Sequence, residues 1–278
     1  MSVGAIEELM QWEPARADHS IDRALVSIKL RRAIDPDLFD ELTVVGRKAA
    51  SQLSLTNRVE TVDPIEVQAT EGADGIKAQI RLDRLPRANP RRVHFQRLEP
   101  DGGIAYEFAI GQQLITFATL RYRRWADFEE LMTSIWNSLM EAGLNTVEIK
   151  AARLEYLDRW ISHPGGGDHF QVISQETVHL TRTAAEKSFA LHVHSGWFDF
   201  MSDTIRQLTN VNIDIQDVPV GSPGDNQRKI RITTMREHEA LMGVLDDPLG
   251  RVNEIHIGLK SLYRSTITLE AAHRVGLD

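Results

Sequence analysis

The chain has 278 residues, of which 42% are hydrophobic and 26% charged, and this ordinary composition predicts a globular fold. It contains no cysteine, which excludes disulfide frameworks and thiolate metal sites, and its net charge of −8 disfavours nucleic acid as a partner. No apolar run approaches the roughly 18 residues that cross a bilayer, and the start of the chain lacks a secretion signal, so we expect a cytoplasmic protein without membrane partners.

The first elements are predicted from hydrophobic periodicity and helix-start signals. Residues 24–31 alternate apolar and polar side chains, as half-buried strands do. Asp35 and Pro36 then provide an N-cap and a first helical residue. A second strand is predicted over residues 76–82. Three further strands, separated by glycine-containing turns, are predicted as an antiparallel meander over residues 93–98, 104–110 and 114–122.

The clearest helix signal follows the meander. Its apolar stripe has the spacing of one helical face and consists of Phe128, Leu131, Met132, Ile135, Trp136, Leu139 and Met140. Gly143 is suited to end this helix, because glycine adopts the left-handed conformation at helix C-termini. A strand over residues 147–157 is predicted to complete the first half.

A glycine-rich segment, residues 163–168, is the best candidate for a domain boundary. We therefore predict an N-terminal domain over residues 1–162 and a C-terminal domain over residues 169–278. The second half is predicted to contain strands over residues 170–181, 188–200, 211–216 and 229–233. Thr234 and Glu237 have the spacing of a capping box at the start of a helix. A last amphipathic helix is predicted over residues 249–273.

The order of these elements predicts an α+β fold of two units, each with an antiparallel or mixed sheet covered by helices. The terminal helix has an apolar stripe that can pack on its own domain or on a second copy of the chain. We therefore expect a protein partner or self-association.

Two neighbouring segments carry an ordered set of motifs. The first contains Arg121, Tyr122, Trp125 and Phe128, and the second, residues 152–159, reads Ala-Arg-Leu-Glu-Tyr-Leu-Asp-Arg. This order resembles the signature of a sporadically distributed family of uncharacterised prokaryotic proteins. In that family a strand ends in Arg-Tyr-x-x-Trp-x-x-Phe, a helix follows, and the next strand reads close to Arg-x-Gly-Leu-Arg-Tyr-Ile-Asn.

The resemblance extends to residues 24–45 and 262–268, and thus covers nearly the whole chain. The sequence departs from the signature at Glu155 and Asp158, where the family pattern has arginine and asparagine. The resemblance implies no assigned activity. The patchy distribution of the family implies an accessory role in mobile or defence gene sets.

One group of residues suggests a metal site. His192 and His194 are two apart on a predicted strand, so they share one face, and Asp214 on a neighbouring strand is a candidate third ligand. The alternative interpretation, which we prefer, is a solvated strand face, because Asn212 and Arg231 belong to the same polar pattern.

Arginines are concentrated in two segments. The candidates for phosphate contacts are Arg87, Arg91, Arg92, Arg121, Arg123 and Arg124. Tyr122 and Trp125 are interleaved with the second group and could stack on bases. The alternative interpretation is that these arginines pair with the excess of carboxylates.

The sequence contains no complete catalytic motif, and no cofactor is predicted. The leading expectation is a non-catalytic accessory or interaction component. The alternatives are a metal-dependent enzyme that uses His192, His194 and Asp214, and a nucleic-acid-binding protein that uses the arginine segments.

Overall fold

The computed structural model describes residues 10–17, 19–62, 69–72, 75–78, 91–164, 167–180, 190–219 and 226–277. The strands in this part of the chain are β1 (Trp12–Pro14), β2 (Ile21–Leu30), β3 (Asn57–Val62), β4 (Ala69–Gly72), β5 (Gly75–Ala78), β6 (Arg91–Leu98), β7 (Ile104–Gly111), β8 (Leu114–Thr119), β9 (Ile149–Ser162), β10 (Leu191–Phe200), β11 (Ile205–Pro219) and β12 (Asn226–Ala240). The α-helices are α1 (Pro36–Gln52), α2 (Trp125–Glu141), α3 (Pro248–Thr266) and α4 (Leu269–Arg274), and short 3-10 helices lie at Leu144–Thr146 and His169–Gln171.

One antiparallel sheet organises the molecule. Within the described residues it contains ten strands, in the order β10-β11-β12-β9-β2-β8-β7-β6-β3, with β1 paired to β9 beside this path. The strands β4 and β5 form a separate hairpin. The prediction of two units with a sheet each is therefore wrong, because β2 pairs with β9 and joins the strands of both halves of the chain. The division into domains at residues 163–168, which follow the end of β9, stays a prediction.

The β2–β9 pair has a three-stranded meander on each side, and β3 extends the sheet beyond β6 on one of them. On one side β2 pairs with β8, the last strand of the β6-β7-β8 meander. On the other side β9 pairs with β12, the last strand of the β10-β11-β12 meander. Each meander leads into a long helix, α2 or α3. The two halves thus repeat one arrangement of strands and helix, although their sequences show no clean repeat.

The long helices α1 and α3 cover the same face of the sheet. Directly paired residues share a face, and the pairs that connect Phe108, Phe117, Val26 and Leu154 run across four strands. Helix α1 contacts this face at Phe108, next to Gly46. Helix α3 contacts it through hydrogen bonds to Tyr156 and Trp160, which lie on the same face of β9 as Leu154 because they follow it by two and six residues. The main core lies between this face and the helices.

The predictions for α1, α2 and the meander are confirmed. Asp35 accepts hydrogen bonds from the backbone amides of Asp37 and Leu38, and Pro36 is the first residue of α1. In α2 the predicted stripe is buried except for Met140, which is half-buried, and Gly143 follows the helix with φ of 103°. The predicted strand over residues 76–82 is met over residues 76–78, which belong to β5, and the remainder lies outside the described residues.

Three predictions for the second half are wrong. Thr234 and Glu237 do not cap a helix, because both lie inside β12. Residues 170–180 form a 3-10 turn and loops, and only Ile173 makes an isolated bridge there. The last helix ends at Thr266, because Ile267 pairs with Ile173, and Thr268 caps the separate helix α4. Helix α3 packs on the sheet of its own chain through Val252, Ile255 and Leu259 among other residues.

Among the described residues, no helix combines the length and the apolar composition needed to cross a bilayer.

Candidate functional site

A pocket of about 340 Å³ lies between the helix-covered face of the sheet and α3, and we call it the α3 pocket. Its volume is at the lower end of the range of small-molecule sites. The residues that lead into β2, the middle of β9 and β12, the start of α2 and one face of α3 surround it. Its polar and aromatic lining consists of His19, Ser20, Tyr122, Arg123, Arg124, Trp125, Tyr156, Asp158, Thr234, His256, Lys260 and Tyr263.

A chain of hydrogen bonds ends at a buried carboxyl group on the floor of the pocket. The indole nitrogen of Trp160, which can only donate, bonds to the hydroxyl oxygen of Tyr263 at 2.9 Å. The Tyr263 hydroxyl donates to Ser20 Oγ at 2.8 Å, and Ser20 Oγ donates to Asp158 Oδ1 at 2.7 Å. Each hydrogen bond in this chain is therefore donated in the direction of Asp158. The hydroxyl hydrogens of Ser20 and Tyr263 are both used in it.

The Asp158 carboxyl group has no counter-charge among the residues that the structure describes. The side chain is 1% exposed, and within the described residues it makes no ion pair and has one hydrogen bond, from Ser20. Burial raises the pKa of Asp158 from 3.8 to about 7, although the Ser20 hydrogen bond opposes this rise. A buried carboxylate is costly unless it is paired. The pKa of Asp158 therefore lies near neutral pH, far above the ordinary value of an aspartate.

A second polar group on the floor lacks a partner. Thr234 is fully buried in β12, directly opposite Tyr156 of β9. Its hydroxyl oxygen is buried and has no hydrogen-bond partner in the described part of the chain. A buried hydroxyl without a protein partner can be completed by a bound water, an ion or a ligand.

Aromatic rings form the wall of the pocket. His256 of α3 stacks on Trp125, with ring centroids 4.3 Å apart, and its Nδ1 lies 2.8 Å from the hydroxyl of Tyr156. Tyr122 meets Tyr156 edge to face at 5.8 Å. Trp125 is held in turn by a hydrogen bond of 2.8 Å from its indole nitrogen to Asn253. The wall is thus built from rings whose orientations are fixed by contacts between α2, β9 and α3.

The opening of the pocket carries positive charge, although the molecule as a whole is negative. Arg123, Arg124 and Lys260 line the pocket and are exposed. Arg124 forms an ion pair of 3.2 Å with Asp127, whereas Arg123 and Lys260 form none within the described residues. Burial, assisted by Lys260, lowers the pKa of His256 to about 4, so this ring is neutral at physiological pH.

The predicted metal ligands lie elsewhere, on the sheet face opposite to the helices. His192 and Asp214 are paired across β10 and β11, with 2.5 Å between Nδ1 and Oδ1, and His194 contacts Asn212. Both histidines are exposed. In the described part of the chain, no three histidine or carboxylate side chains form a metal-binding group. The metal site stays a prediction.

The predicted arginines fall at two ends of the meander. Arg92 lies beside Gly111, at the turn between β7 and β8. Arg121 follows the other end of β8, roughly 20 Å away at about 3.3 Å per strand residue, and forms an ion pair of 3.3 Å with Asp101. Arg91 is in β6, where its side chain is not described, and Arg87 is outside the described residues. Arg123 faces the α3 pocket.

Sequence reasoning did not identify this pocket, although it emphasised some of its residues. Tyr122, Trp125, Tyr156 and Asp158 belong to the two motif segments, and the fold brings them together. One signal was available in the sequence: Asp158 interrupts an apolar series on the inner face of β9, whose other members are Ala152, Leu154, Tyr156 and Trp160. A carboxyl group in such a series is a sign of function.

Comparison with known proteins leaves the family open. No protein-family model matches the chain. No curated protein matches it either. Membership of the family with the Arg-Tyr-x-x-Trp-x-x-Phe signature therefore stays a prediction.

Proposed function

We propose that this protein binds a small organic molecule in the α3 pocket. The observation that carries the proposal is the floor of the pocket, where no described side chain balances the charge of the buried Asp158 and no described group bonds to the Thr234 hydroxyl. A carboxyl group at this position destabilises the fold relative to an apolar residue. Its presence is explained if a ligand supplies the missing partner.

The shape and chemistry of the lining support the same proposal. The pocket combines apolar ring surfaces with a few convergent polar groups, as small-molecule sites commonly do. The hydrogen-bond chain from Trp160 fixes the Ser20 hydroxyl on Asp158, so the carboxyl group is positioned before a ligand arrives. A prepositioned site loses less conformational freedom on binding.

This proposal is a more specific form of the expected non-catalytic accessory component, since a protein can bind a ligand and serve a partner without catalysing a reaction. The metal-dependent enzyme and the nucleic-acid-binding protein stay predictions. His192 and His194 face solvent and contact neighbouring strand residues, and the arginine segments are separated along the meander. Neither arrangement gathers as many buried polar groups as the α3 pocket.

The test is a ligand-observed NMR screen of small polar metabolites against the protein and two variants. Lys260→Trp places a large ring at the opening of the pocket. Lys48→Trp makes the same exchange at an exposed position of α1, away from the pocket, and serves as the matched control. We expect hits with the unchanged protein and with Lys48→Trp that are lost with Lys260→Trp. A screen without hits, or hits that Lys260→Trp does not affect, would contradict the proposal.

A further inference from the structure

We infer that the ligand of the α3 pocket is a small zwitterion, with an ammonium group that reaches Asp158 and Thr234 and an acidic group that stays at the opening beside Arg123 and Lys260. This inference rests on the proposed function and names the ligand class. It combines two independent features of the pocket, an acidic floor and a basic opening.

The polar groups on the floor of the pocket are complementary to an ammonium group. Asp158 offers a negative charge that no described side chain balances, and Thr234 offers a hydroxyl oxygen that no described donor reaches. A primary ammonium has three N–H donors and one positive charge. Thr234 lies opposite Tyr156, two residues before Asp158 on β9, so we place one ammonium group between these two side chains. A carboxylate or phosphate would instead meet the charge of Asp158 in a buried space, where like charges repel strongly.

The wall favours the same group. Tyr122, Trp125 and Tyr156 contribute ring surface around the pocket. Aromatic rings attract cations through the negative potential of their faces, and the attraction grows as the cation loses its water. The tyrosine hydroxyl of Tyr156 is engaged with His256. These rings therefore offer apolar surface and π-electron density more than further hydrogen bonds.

The basic side chains at the opening of the pocket are complementary to an acidic group. Arg123 and Lys260 are exposed and lack a carboxylate partner within the described residues. On α3, Lys260 comes three residues before Tyr263, whose hydroxyl bonds to Ser20 on the floor. Three residues rise about 5 Å along a helix axis. We therefore infer that the ligand has a spacer between its ammonium group and its acidic group, and one aromatic ring is such a spacer.

The affinity for the ligand should depend on pH through the protonation of Asp158. The carboxyl group must be ionised to pair with an ammonium, so affinity rises with pH through the raised pKa of about 7. Burial raises the pKa values of Tyr122, Tyr156 and Tyr263 and lowers the pKa of His256 to about 4, so these four side chains are mainly neutral between pH 5 and 8. The charged side chains that line the opening are Arg123, Arg124 and Lys260. His19 also lines the pocket, and His19→Gln separates its contribution.

The test uses three matched probes in calorimetric titrations: 4-(aminomethyl)benzoate, which has both charges, benzylamine, which has the amine alone, and 4-methylbenzoate, which has the acid alone. We expect the zwitterion to bind tightest and the acid weakest. From pH 7 down to pH 5 the affinity for benzylamine should fall by ten-fold or more, also in His19→Gln. Tightest binding by 4-methylbenzoate, or an affinity for benzylamine that does not change with pH, would overturn the inference.

Two sets of variants test the floor and the opening of the pocket separately. Asp158→Asn should weaken both amines at least ten-fold and leave the acid unchanged, and Thr234→Val should weaken the amines by a smaller factor in a protein that keeps Asp158. Arg123→Gln with Lys260→Gln should remove the advantage of the zwitterion over benzylamine. If metabolite hits are lost with Lys260→Trp but none of the three probes binds, the ligand class is wrong and the proposed function stands. If neither experiment detects binding, both are wrong.

Discussion

Asp158 occupies a position on the inner face of β9 where its neighbours along the strand, Tyr156 and Trp160, are buried rings. Burial raises the pKa of its carboxyl group from 3.8 to about 7. Because the folded state binds the proton more tightly than the unfolded state, the protonated form stabilises the fold. This contribution is fully present below about pH 4 and is lost as the pH rises through about 7.

The consequence can be measured with Asp158→Asn, which keeps the shape and removes the titration. Between pH 4 and 8, the free energy of unfolding of the unchanged protein should fall relative to the variant by a few kcal/mol, at most about 4, since each pKa unit corresponds to about 1.4 kcal/mol. Urea unfolding at several pH values gives both curves, and the contributions of all other carboxylates cancel in the difference. Parallel curves would show that Asp158 titrates normally.

The residues of the pocket were only partly predictable. Tyr122, Trp125, Tyr156 and Asp158 were conspicuous because they lie in short segments with a strong local pattern. The partners that give Asp158 its environment were not, because Ser20 and Asp158 are 138 positions apart and Tyr263 and Ser20 are 243 apart. Hydrogen bonds across such separations leave no periodic signal in the sequence. The same limit applies to the stacking of His256 on Trp125.

At the scale of single elements, prediction succeeded where the signal is local. Asp35 and Pro36 specify the start of α1 through backbone hydrogen bonds within one turn. The capping-box spacing of Thr234 and Glu237 was misleading, because strand pairing outweighs it. In β12 these side chains lie on opposite faces, where Thr234 is buried beneath α3 and Glu237 forms an ion pair of 2.7 Å with Lys29.

The packing of α1 on the sheet depends on a glycine. A β-carbon at Gly46 would lie 2.8 Å from Ile110 Cδ1 and 3.1 Å from Phe108 Cε1, and both side chains are fully buried. Replacing a helical glycine by alanine gains about 1 kcal/mol of helix propensity, whereas forcing an extra carbon into a filled core costs about 1–3 kcal/mol. We expect Gly46→Ala to lower the free energy of unfolding by about 1 kcal/mol, as measured by urea denaturation.

The double variant Gly46→Ala with Ile110→Val tests the cause. Valine lacks the Cδ1 atom that the new methyl group would approach, and Ile110→Val alone should cost about 0.5–1.5 kcal/mol through the space it leaves. Because the alanine methyl fills that space, the double variant should be more stable than the sum of the single effects predicts. Additive effects would mean that Ile110 is not the obstacle and that α1 moves as a whole.

At the scale of the whole molecule, the fold class depends on the strand pairing that joins the two halves into one sheet. This pairing was not predictable from the sequence. Alternation identifies strands, and short turns identify hairpins. Neither indicates that β2 pairs with β9, or that β9 pairs with β12, because these partners are far apart in the chain. The glycine-rich segment at residues 163–168 has the composition of a linker, yet it follows a strand that has partners on both sides.

Continuity of the sheet predicts how the chain responds to division. A fragment of residues 1–162 ends with β9, which then lacks β12, and it exposes Tyr156 and Trp160, which α3 contacts in the whole protein. In a fragment of residues 163–278, β12 lacks its partner β9, and α3 lacks its contacts with Tyr156 and Trp160. We expect neither fragment alone to unfold cooperatively, and we expect co-expression of both to restore a complex with one unfolding transition. As a control, a protease site inserted after Pro164 and cut after folding should leave the two pieces associated, because the β9–β12 pairing remains intact. A cooperative transition in the isolated 1–162 fragment would show instead that the two halves are independent domains.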